Sequence, residues 1–154
     1  MHFEYFIRPA VEDDLSRLKE RLVRNDQNRN IVINDATRYY LAEAVGHGII
    51  GLIGAEISGE TALIRSMAVL AAYRGQRVAG NLVDRLFNDL MGLGIQKLYL
   101  FSRDTGTFWE GVGFTRCTVE EVIAQIPDAH QVISYINDNS IWSDVAWRLP
   151  LAMP

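Results

Sequence analysis

The sequence predicts an α/β fold, with a mixed sheet flanked by helices, from three observations. Segments rich in β-branched and aromatic residues alternate with segments whose apolar residues recur at helical spacing. Residues 37–70 contain three strand-like runs separated by short turns, a pattern typical of an antiparallel meander. The stretch MAVLAAYRGQRVAGNLVDRL, residues 67–86, then leads from a strand through a glycine-bearing loop into a helix.

Length and composition restrict the class of protein. The chain has 154 residues, of which 49% are hydrophobic and 22% charged, and we expect one domain over residues 1–154. The net charge of −4 disfavours a nucleic-acid partner. No run approaches the roughly 20 apolar residues of a membrane helix, and residues 1–18 lack the apolar core of a secretory signal. A cytoplasmic location without a membrane partner is therefore expected.

In the first half of the chain, local patterns predict each element. Residues 3–10 (FEYFIRPA) are rich in β-formers and predict a first strand. Residues 12–25 place leucines on one helical face behind an acidic first turn, which predicts a helix, and the polar residues 24–36 predict a loop or a broken helix. Short turns then separate three strands, near residues 37–45, 49–57 and 61–70.

In the second half, a long helix is predicted over residues 76–94, followed by a strand over residues 96–102. A short helix, GTFWEGVGF, is expected to stop near Gly113. The remaining residues predict two strands on either side of a helix, over residues 115–123, 127–138 and 143–151 in chain order. Because a helix joins the strands on either side of residues 76–94, those two strands are expected to be parallel.

The loop before the long helix has the chemistry of an anion site. The first N–H groups of a helix lack intrahelical acceptors, and the helix dipole places partial positive charge there. Gly75 and Gly80 would allow a phosphate to approach the backbone, and Arg74 and Arg77 would add charge and forked donors. The alternative is an ordinary turn with solvated arginines. The spacing matches neither the dinucleotide fingerprint nor the P-loop.

Two motifs resemble those of the GNAT superfamily, the N-acetyltransferases that use acetyl-coenzyme A. The signature R/Q-x-x-G-x-G/A is similar to Arg74–Ala79, within MAVLAAYRGQRVAG. A second segment, an aromatic pair followed by Gly-Phe, corresponds to TFWEGVGF at Thr107–Phe114. The order of elements agrees over about residues 3–115. The chain looks most like the small single-domain branch of amino-acid and arsenic-resistance acetyltransferases.

The resemblance implies a GNAT-type acyl-CoA N-acyltransferase fold and a set of cofactor-binding residues. The pantetheine arm would lie along the signature strand, and the pyrophosphate would lie on the N–H groups of the loop. The cofactor-binding residues implied are Met67, Ala68, Val69, Arg74, Gly75, Gln76, Arg77, Val78, Ala79, Gly80, Asn81, Asp104 and Phe108. The resemblance also implies direct attack by a neutral amine, so Cys117 need not be a nucleophile.

Two positions depart from the family pattern. Arg77 stands where the signature has its first glycine, which adds a cation while keeping the backbone N–H. Trp109 stands where the family often has a tyrosine that reprotonates the departing thiolate. An indole N–H donates a hydrogen bond but does not deliver a proton at neutral pH. Trp109 is therefore interpreted either as a wall of the thioester pocket or, with Phe108, as a core aromatic.

The catalytic residues are less clearly marked. Glu56 is a candidate base, acting directly or through water, and its alternative is a solvated acid at the end of a strand. Ser102 follows KLYLF, residues 97–101, at the end of a predicted strand and is a candidate residue near the thioester. Strand alternation places Arg65 on one face with Met67. Arg65 is either a clamp for an anionic substrate or a surface arginine paired with a neighbouring acid.

Taken together, these features favour an N-acetyltransferase that moves acetyl from acetyl-CoA to a small, anionic amine, with no metal. One alternative acceptor is a protein N-terminus or a lysine. A different class of protein, a CoA-binding sensor with weak or no catalysis, is also compatible with Trp109. The apolar stretch VISYINDNSIW suggests a homodimer, partner binding or core packing.

Overall fold

The computed structural model describes residues 3–22, 31–103 and 105–151. Within these ranges, the strands and helices follow the predicted order as far as β6. The elements are β1 (Tyr5–Pro9), α1 (Leu15–Arg21), β2 (Thr37–Ala44), β3 (Gly48–Ser58), β4 (Thr61–Val69), α2 (Val78–Gly92), β5 (Lys97–Phe101), α3 (Gly106–Val112), β6 (Thr115–Cys117), α4 (Val119–Gln125), α5 (His130–Asn137) and β7 (Ala146–Pro150). The part of the predicted loop at residues 24–30 lies outside the described residues, as does the end of the predicted first helix.

The strands form one mixed sheet in the order β1-β2-β3-β4-β5-β7-β6. β1 and β2 are antiparallel, and turns of a few residues connect β2 to β3 and β3 to β4. β4 and β5 are parallel and are connected by α2, which confirms the predicted pair on either side of the long helix. β7 lies antiparallel between β5 and β6. The predicted α/β fold class is thus confirmed.

The chain packs as two compact units, Met1–Ala55 with Arg65–Asp89, and Glu56–Ile64 with Leu90–Pro154. Each has its own apolar cluster. The cluster of the first unit consists of Ala10, Leu18, Ile31, Tyr39, Leu41, Ile49 and Leu52. The cluster of the second unit consists of Leu63, Tyr99, Val122, Ile126, Ala129, Val132, Tyr135, Ile141 and Ala146. No helix in the described ranges is long and apolar enough to cross a membrane.

The predicted strand over residues 115–123 is wrong beyond its third residue. β6 ends at Cys117, and α4 begins at Val119. Thr118 caps this helix, because its hydroxyl oxygen accepts a hydrogen bond from the backbone N–H of Glu121 at 3.1 Å. The β-branched residues of the segment suggested a strand, but threonine followed three residues later by glutamate is a helix-start pattern. The cap therefore outweighs the β propensity here.

We expect Thr118→Ala to lower the free energy of unfolding by about 1 kcal/mol, because it removes the side-chain acceptor at the start of α4. Urea denaturation followed by circular dichroism measures this change. Thr107→Ala, at an exposed threonine on α3, is the matched control and should change stability by less than about 0.5 kcal/mol. Equal effects of the two substitutions would contradict a capping role for Thr118.

A buried ion pair holds the first strand to the start of α1. The Asp14 side chain is 1% exposed, and its two oxygens accept hydrogen bonds from Arg8 Nη1 and Nη2 at 2.9 and 2.8 Å. Arg17 and the backbone N–H of Val11 donate to the same carboxylate. The hydrogen bonds from Arg8 are the main reason why the pKa of Asp14 is lowered to about 2.

Because of this carboxylate, the free energy of unfolding depends on pH in the acidic range. The pKa of Asp14 is about 2 when folded and 3.8 as its ordinary value, so the unfolded state binds the proton more tightly. The Asp14 carboxylate therefore contributes about 2 kcal/mol to the free energy of unfolding. This contribution is complete above about pH 5 and is lost as the pH falls from about 4 to about 2. Acid unfolding of Asp14→Asn should lack this component, whereas the exposed Asp13→Asn should retain it. Superimposable acid-unfolding curves of the wild type and Asp14→Asn would contradict the assignment.

Candidate functional site

The strand-loop-helix segment predicted to bind an anion is formed by β4, a short 3-10 turn at Ala71–Tyr73 and α2. The backbone N–H of Asn81 donates to the carbonyl of Arg77 at 3.0 Å, the first helical hydrogen bond of α2. The three preceding N–H groups, of Val78, Ala79 and Gly80, therefore lie in the first turn, where a helix offers them no acceptor. Gly80 is exposed, so this end of the helix is accessible.

The loop backbone turns through two left-handed residues. Gly75 has φ +79° and Arg77 has φ +63°. A glycine takes this conformation without cost, whereas an arginine pays about 1 kcal/mol for it. Arg77 stands where the signature has its first glycine, and the backbone at this position requires a left-handed residue. The departure at Arg77 places a guanidinium on a strained residue beside the first N–H groups of α2.

Both loop arginines are exposed, and each has a distinct environment. Arg74 Nε donates to the carbonyl of Val69 at 3.0 Å, which ties the loop back to the end of β4. The Nη groups of the same guanidinium take no part in this hydrogen bond and carry further N–H donors. Arg77 precedes α2 directly, at the positive end of its dipole. These charges and N–H donors together match a multiply charged anion such as a pyrophosphate.

The start of α2 is held close to the sheet by a glycine. A Cβ at Gly51 of β3 would lie 3.1 Å from Leu82 and 3.3 Å from Val78. Val78 and Leu82 are buried, so the helix packs directly on the backbone of β3. Asn81, predicted to bind cofactor, donates through its side-chain amide to the hydroxyl of Tyr5. This hydrogen bond connects α2 to β1. The backbone of Asn81 lies near the end of the first turn of α2.

The end of β4 has an irregular backbone at Ser66, whose φ is +64°. The predicted alternation that placed Arg65 and Met67 on one face does not continue through this left-handed residue. The pairing of β4 with β5 runs from Thr61↔Lys97 to Ile64↔Leu100, whereas β4 itself continues to Val69. Met67, Ala68 and Val69, predicted to hold the pantetheine arm, lie in this continuation and are half-buried.

Arg65 is 4% exposed, so the alternative of a surface arginine is wrong. Its Nε donates to Ser66 Oγ at 3.3 Å. An arginine remains charged in the interior of a protein, so its guanidinium stabilises the fold only where other groups compensate the charge. This burial favours a structural role for Arg65, and its role as a substrate clamp stays a prediction.

Glu56, the predicted base, is 5% exposed, so the alternative of a solvated acid is wrong. Its carboxylate oxygens accept hydrogen bonds from the backbone N–H groups of His130, at 2.6 Å, and Gln131, at 3.0 Å. These are the first N–H groups of α5, so Glu56 caps this helix from a distant strand. The Nδ1 atom of His130 lies 3.5 Å from Glu56 Oε1. Neither partner was singled out as functional from the sequence.

Ser102 and Trp109 are both engaged in the packing around α3. The Ser102 hydroxyl contacts the Thr105 hydroxyl and accepts a hydrogen bond from the Thr105 N–H at 3.2 Å. The backbone carbonyl of Ser102 accepts a hydrogen bond from Trp147 Nε1 at 2.9 Å. Trp109 is 3% exposed and packs edge-to-face against Phe108 and Phe114. This position favours the core interpretation of Trp109 over a catalytic one. Phe108 is partly exposed, and Asp104 lies outside the described residues.

Cys117 packs against the apolar cluster of the second unit. Burial is the main reason why the pKa of its thiol is raised to about 11, and the nearby charge of Glu121 adds to this effect. The thiol is therefore protonated at neutral pH and a poor nucleophile. Among the residues in the described ranges, no three His, Cys, Asp or Glu side chains are grouped as metal ligands would be.

Solved structures similar to this one share its fold at low sequence identity. A GNAT-family acetyltransferase from Staphylococcus aureus Mu50 has a TM-score of 0.75 and 17% identity, covering 97% of this chain and 100% of its own. N-acetylglutamate synthase from Neisseria gonorrhoeae, complexed with coenzyme A and N-acetyl-glutamate, has a TM-score of 0.75 and 15% identity over 99% of this chain and 36% of its own. The ribosomal-protein-S18-alanine N-acetyltransferase from Escherichia coli has a TM-score of 0.71 and 13% identity over 98% of this chain and 96% of its own.

The sequence itself matches no curated protein. It does match the family model described as Acetyltransferase (GNAT) family, over residues 4–114. The match spans most of the chain and includes β4, the glycine loop and α2, as well as the aromatic segment of α3. This chain belongs to the GNAT family of acetyltransferases.

Proposed function

We propose that the protein transfers an acetyl group from acetyl-CoA to the amine of a small molecule. The observation that carries this proposal is the loop before α2, where three first-turn N–H groups, a left-handed Arg77 and the exposed Arg74 fit a pyrophosphate. Coenzyme A carries such a group, and family membership supports the same cofactor. The solved N-acetylglutamate synthase, which shares the fold, is complexed with coenzyme A.

In this proposal, the segment from Arg74 to Asn81 holds the pyrophosphate, chiefly through the first-turn N–H groups of Val78, Ala79 and Gly80, and the backbone of Met67–Val69 positions the pantetheine arm. Acetyl-CoA supplies the acetyl group as a thioester. The protein then has to hold the amine in line with the carbonyl carbon and accept one proton from it. Cys117 takes no part as a nucleophile, because its pKa is raised to about 11.

The acceptor is proposed to be a small amine that carries an acidic group. N-acetyl-glutamate in the complex of the Neisseria gonorrhoeae enzyme supports an amino-acid acceptor. The Escherichia coli enzyme, which modifies the alanine of ribosomal protein S18, supports a protein N-terminus as the second candidate. Arg65 remains the proposed contact for an acidic substrate.

Calorimetric titration with acetyl-CoA and assays of thiol release across amines test the proposal. The panel consists of acidic amino acids, neutral amines of similar size and a peptide with a free N-terminus. Binding together with turnover of acidic amino acids is the expected result. Turnover of the peptide alone would favour the second candidate function. Binding without turnover of any amine would favour a CoA-binding sensor, and absence of binding would reject the cofactor assignment.

A further inference from the structure

We propose that a cavity at the end of β6 binds a small organic cation with an apolar body, such as an arylalkylammonium, beside the carboxylates of Glu120 and Asp144 and the indole of Trp142. The cavity has a volume of about 330 Å³, and its described lining lies within the second compact unit. These lining residues all follow residue 114, where the match to the family model ends. The inference goes beyond the proposed function and does not rest on it.

The cavity forms where the pairing of β6 with β7 ends. Cys117 pairs with Ala146, and Ala146 pairs on its other side with Phe101, the last residue of β5. Beyond this row the pairing stops, because β6 leads into α4 and β7 is entered from the 3-10 turn at Ser140–Ser143. β5 and β6 both end at this edge of the sheet. The carboxyl ends of strands are where open α/β sheets bind ligands, so the cavity lies at an edge suited to a site.

One wall of the cavity is apolar. It is formed by Cys117, Val119, Val145 and Ala146, of which Cys117 and Val119 pack against the apolar cluster of the second unit. The Cys117 thiol adds no charge at neutral pH, because its pKa is raised to about 11. Small-molecule sites have volumes from about 300 Å³ and combine apolar walls with a few polar groups. This wall therefore fits the apolar body of a small ligand.

Two carboxylates give the cavity negative charge. Asp144, whose side chain is 5% exposed, lines it together with the exposed Glu120. The Oδ1 atom of Asp144 accepts from the backbone N–H of Val145 at 2.8 Å and lies 4.0 Å from Arg103 Nε. These contacts hold the carboxylate in one orientation. A buried and oriented carboxylate attracts a cation more strongly than a solvated one, because less water screens the charge.

Arg116 is the positively charged residue of the described lining, and its charge is engaged elsewhere. Cys117 packs against the apolar cluster, and strand alternation directs Arg116 to the other face of the sheet. On that face Arg116 pairs with Trp147, and its guanidinium carbon lies 5.7 Å from the centre of the Trp147 ring. The carboxylates are therefore the charges that a ligand meets in the described part of the cavity.

Trp142 provides an aromatic face for the same ligand. It is 58% exposed, whereas Trp109 and Trp147 are 3% and 5% exposed. The face of an indole attracts cations, and Trp is the best of the aromatic residues for this interaction. An exposed indole and two carboxylates around one cavity form the combination that recognises an ammonium group. This combination favours a cation over an anion or a neutral molecule.

Calorimetric titration of the full chain with phenethylammonium chloride, without acetyl-CoA, is the first test. Phenethyl alcohol is the matched ligand, because it has the same body and a hydroxyl in place of the ammonium. We expect a Kd of about 1 mM or lower for the ammonium and about tenfold weaker binding of the alcohol. Equal affinities of the two ligands, or no binding of the ammonium up to about 10 mM, would overturn the proposal.

Two substitutions at exposed side chains locate the ligand without disturbing the core. Trp142→Ala should weaken the binding of phenethylammonium about tenfold, and Glu120→Gln about threefold, because each removes a group that attracts the cation. The controls are Ile133→Ala and Glu110→Gln, at exposed residues of α5 and α3 outside the described lining, and they should bind as the wild type does. Unchanged affinity in both test variants would reject the site.

Tryptophan fluorescence gives an independent measurement. Because Trp142 is the most exposed of the three tryptophans, phenethylammonium should change the emission of the wild type but not that of Trp142→Phe. A change of equal size in Trp142→Phe would contradict the proposal. Neither measurement uses acetyl-CoA. The cation site can therefore fail while the proposed acetyl transfer stands, and a negative thiol-release assay would leave the cation site in place.

Discussion

Replacing Glu56 with alanine is expected to lower the free energy of unfolding by about 3 kcal/mol. The substitution leaves the N–H groups of His130 and Gln131 without the acceptor that they have in a buried environment. Glu56→Gln keeps one oxygen acceptor but loses the charge, so a smaller loss of about 1–2 kcal/mol is expected. Urea denaturation of both variants measures these values.

Glu110→Gln, at an exposed glutamate of α3, is the control for the loss of a negative charge. It should change stability by less than about 0.5 kcal/mol. A loss for Glu56→Ala no larger than that of the control would show that the cap of α5 does not contribute to stability. The capping role would then be rejected, whatever the effect of the substitution on turnover.

The second large effect is expected in cofactor binding. Removing the charges of both loop arginines, with Arg74→Ala and Arg77→Asn combined, should weaken coenzyme A binding about 30-fold, or about 2 kcal/mol. Asparagine is chosen at position 77 because it tolerates the left-handed backbone with φ +63° better than most residues. The change at position 77 therefore removes charge while it keeps the left-handed backbone, whereas Arg74→Ala also removes the hydrogen bond to the Val69 carbonyl. Calorimetric titration at two salt concentrations measures the affinity and its screening.

Single substitutions at Arg77 separate the charge from the backbone. Arg77→Gly relieves the left-handed strain and should raise the stability of the protein by up to about 1 kcal/mol while it weakens coenzyme A binding. Lys19→Ala, at an exposed lysine of α1, changes the net charge equally and should leave the affinity unchanged. Unchanged affinity of the double variant would mean that the loop is an ordinary turn.

The local elements were predictable because their signals are local. The apolar spacing of α2, the glycine that ends α3 and the turns between β2, β3 and β4 each lie within about ten residues of the element they define. The misassigned segment, residues 115–123, contained two competing local signals. The cap at Thr118 decided between them, and the sequence pattern at Glu121 carried that information.

The candidate site also has one part that local sequence determines and another that depends on packing. The anion site predicted at residues 74–81 depends on a loop and the first turn of its own helix, so the sequence alone is enough to predict it. The side chains around Glu56 could not be assigned in this way. Glu56 and His130 are 74 positions apart, and only packing brings the strand and the helix together.

The sequence by itself determined the order of strands and helices as far as β6, the mixed sheet and the family to which the chain belongs. Only the tertiary structure decided that Arg65 and Glu56 are buried, that Ser66 interrupts the alternation of β4, and that Trp109 lies in an aromatic cluster. The physical reason is the distance along the sequence over which each feature is determined. Helical periodicity, turns and caps depend on neighbouring residues, whereas burial and the partner of a charge depend on which distant segments pack against it.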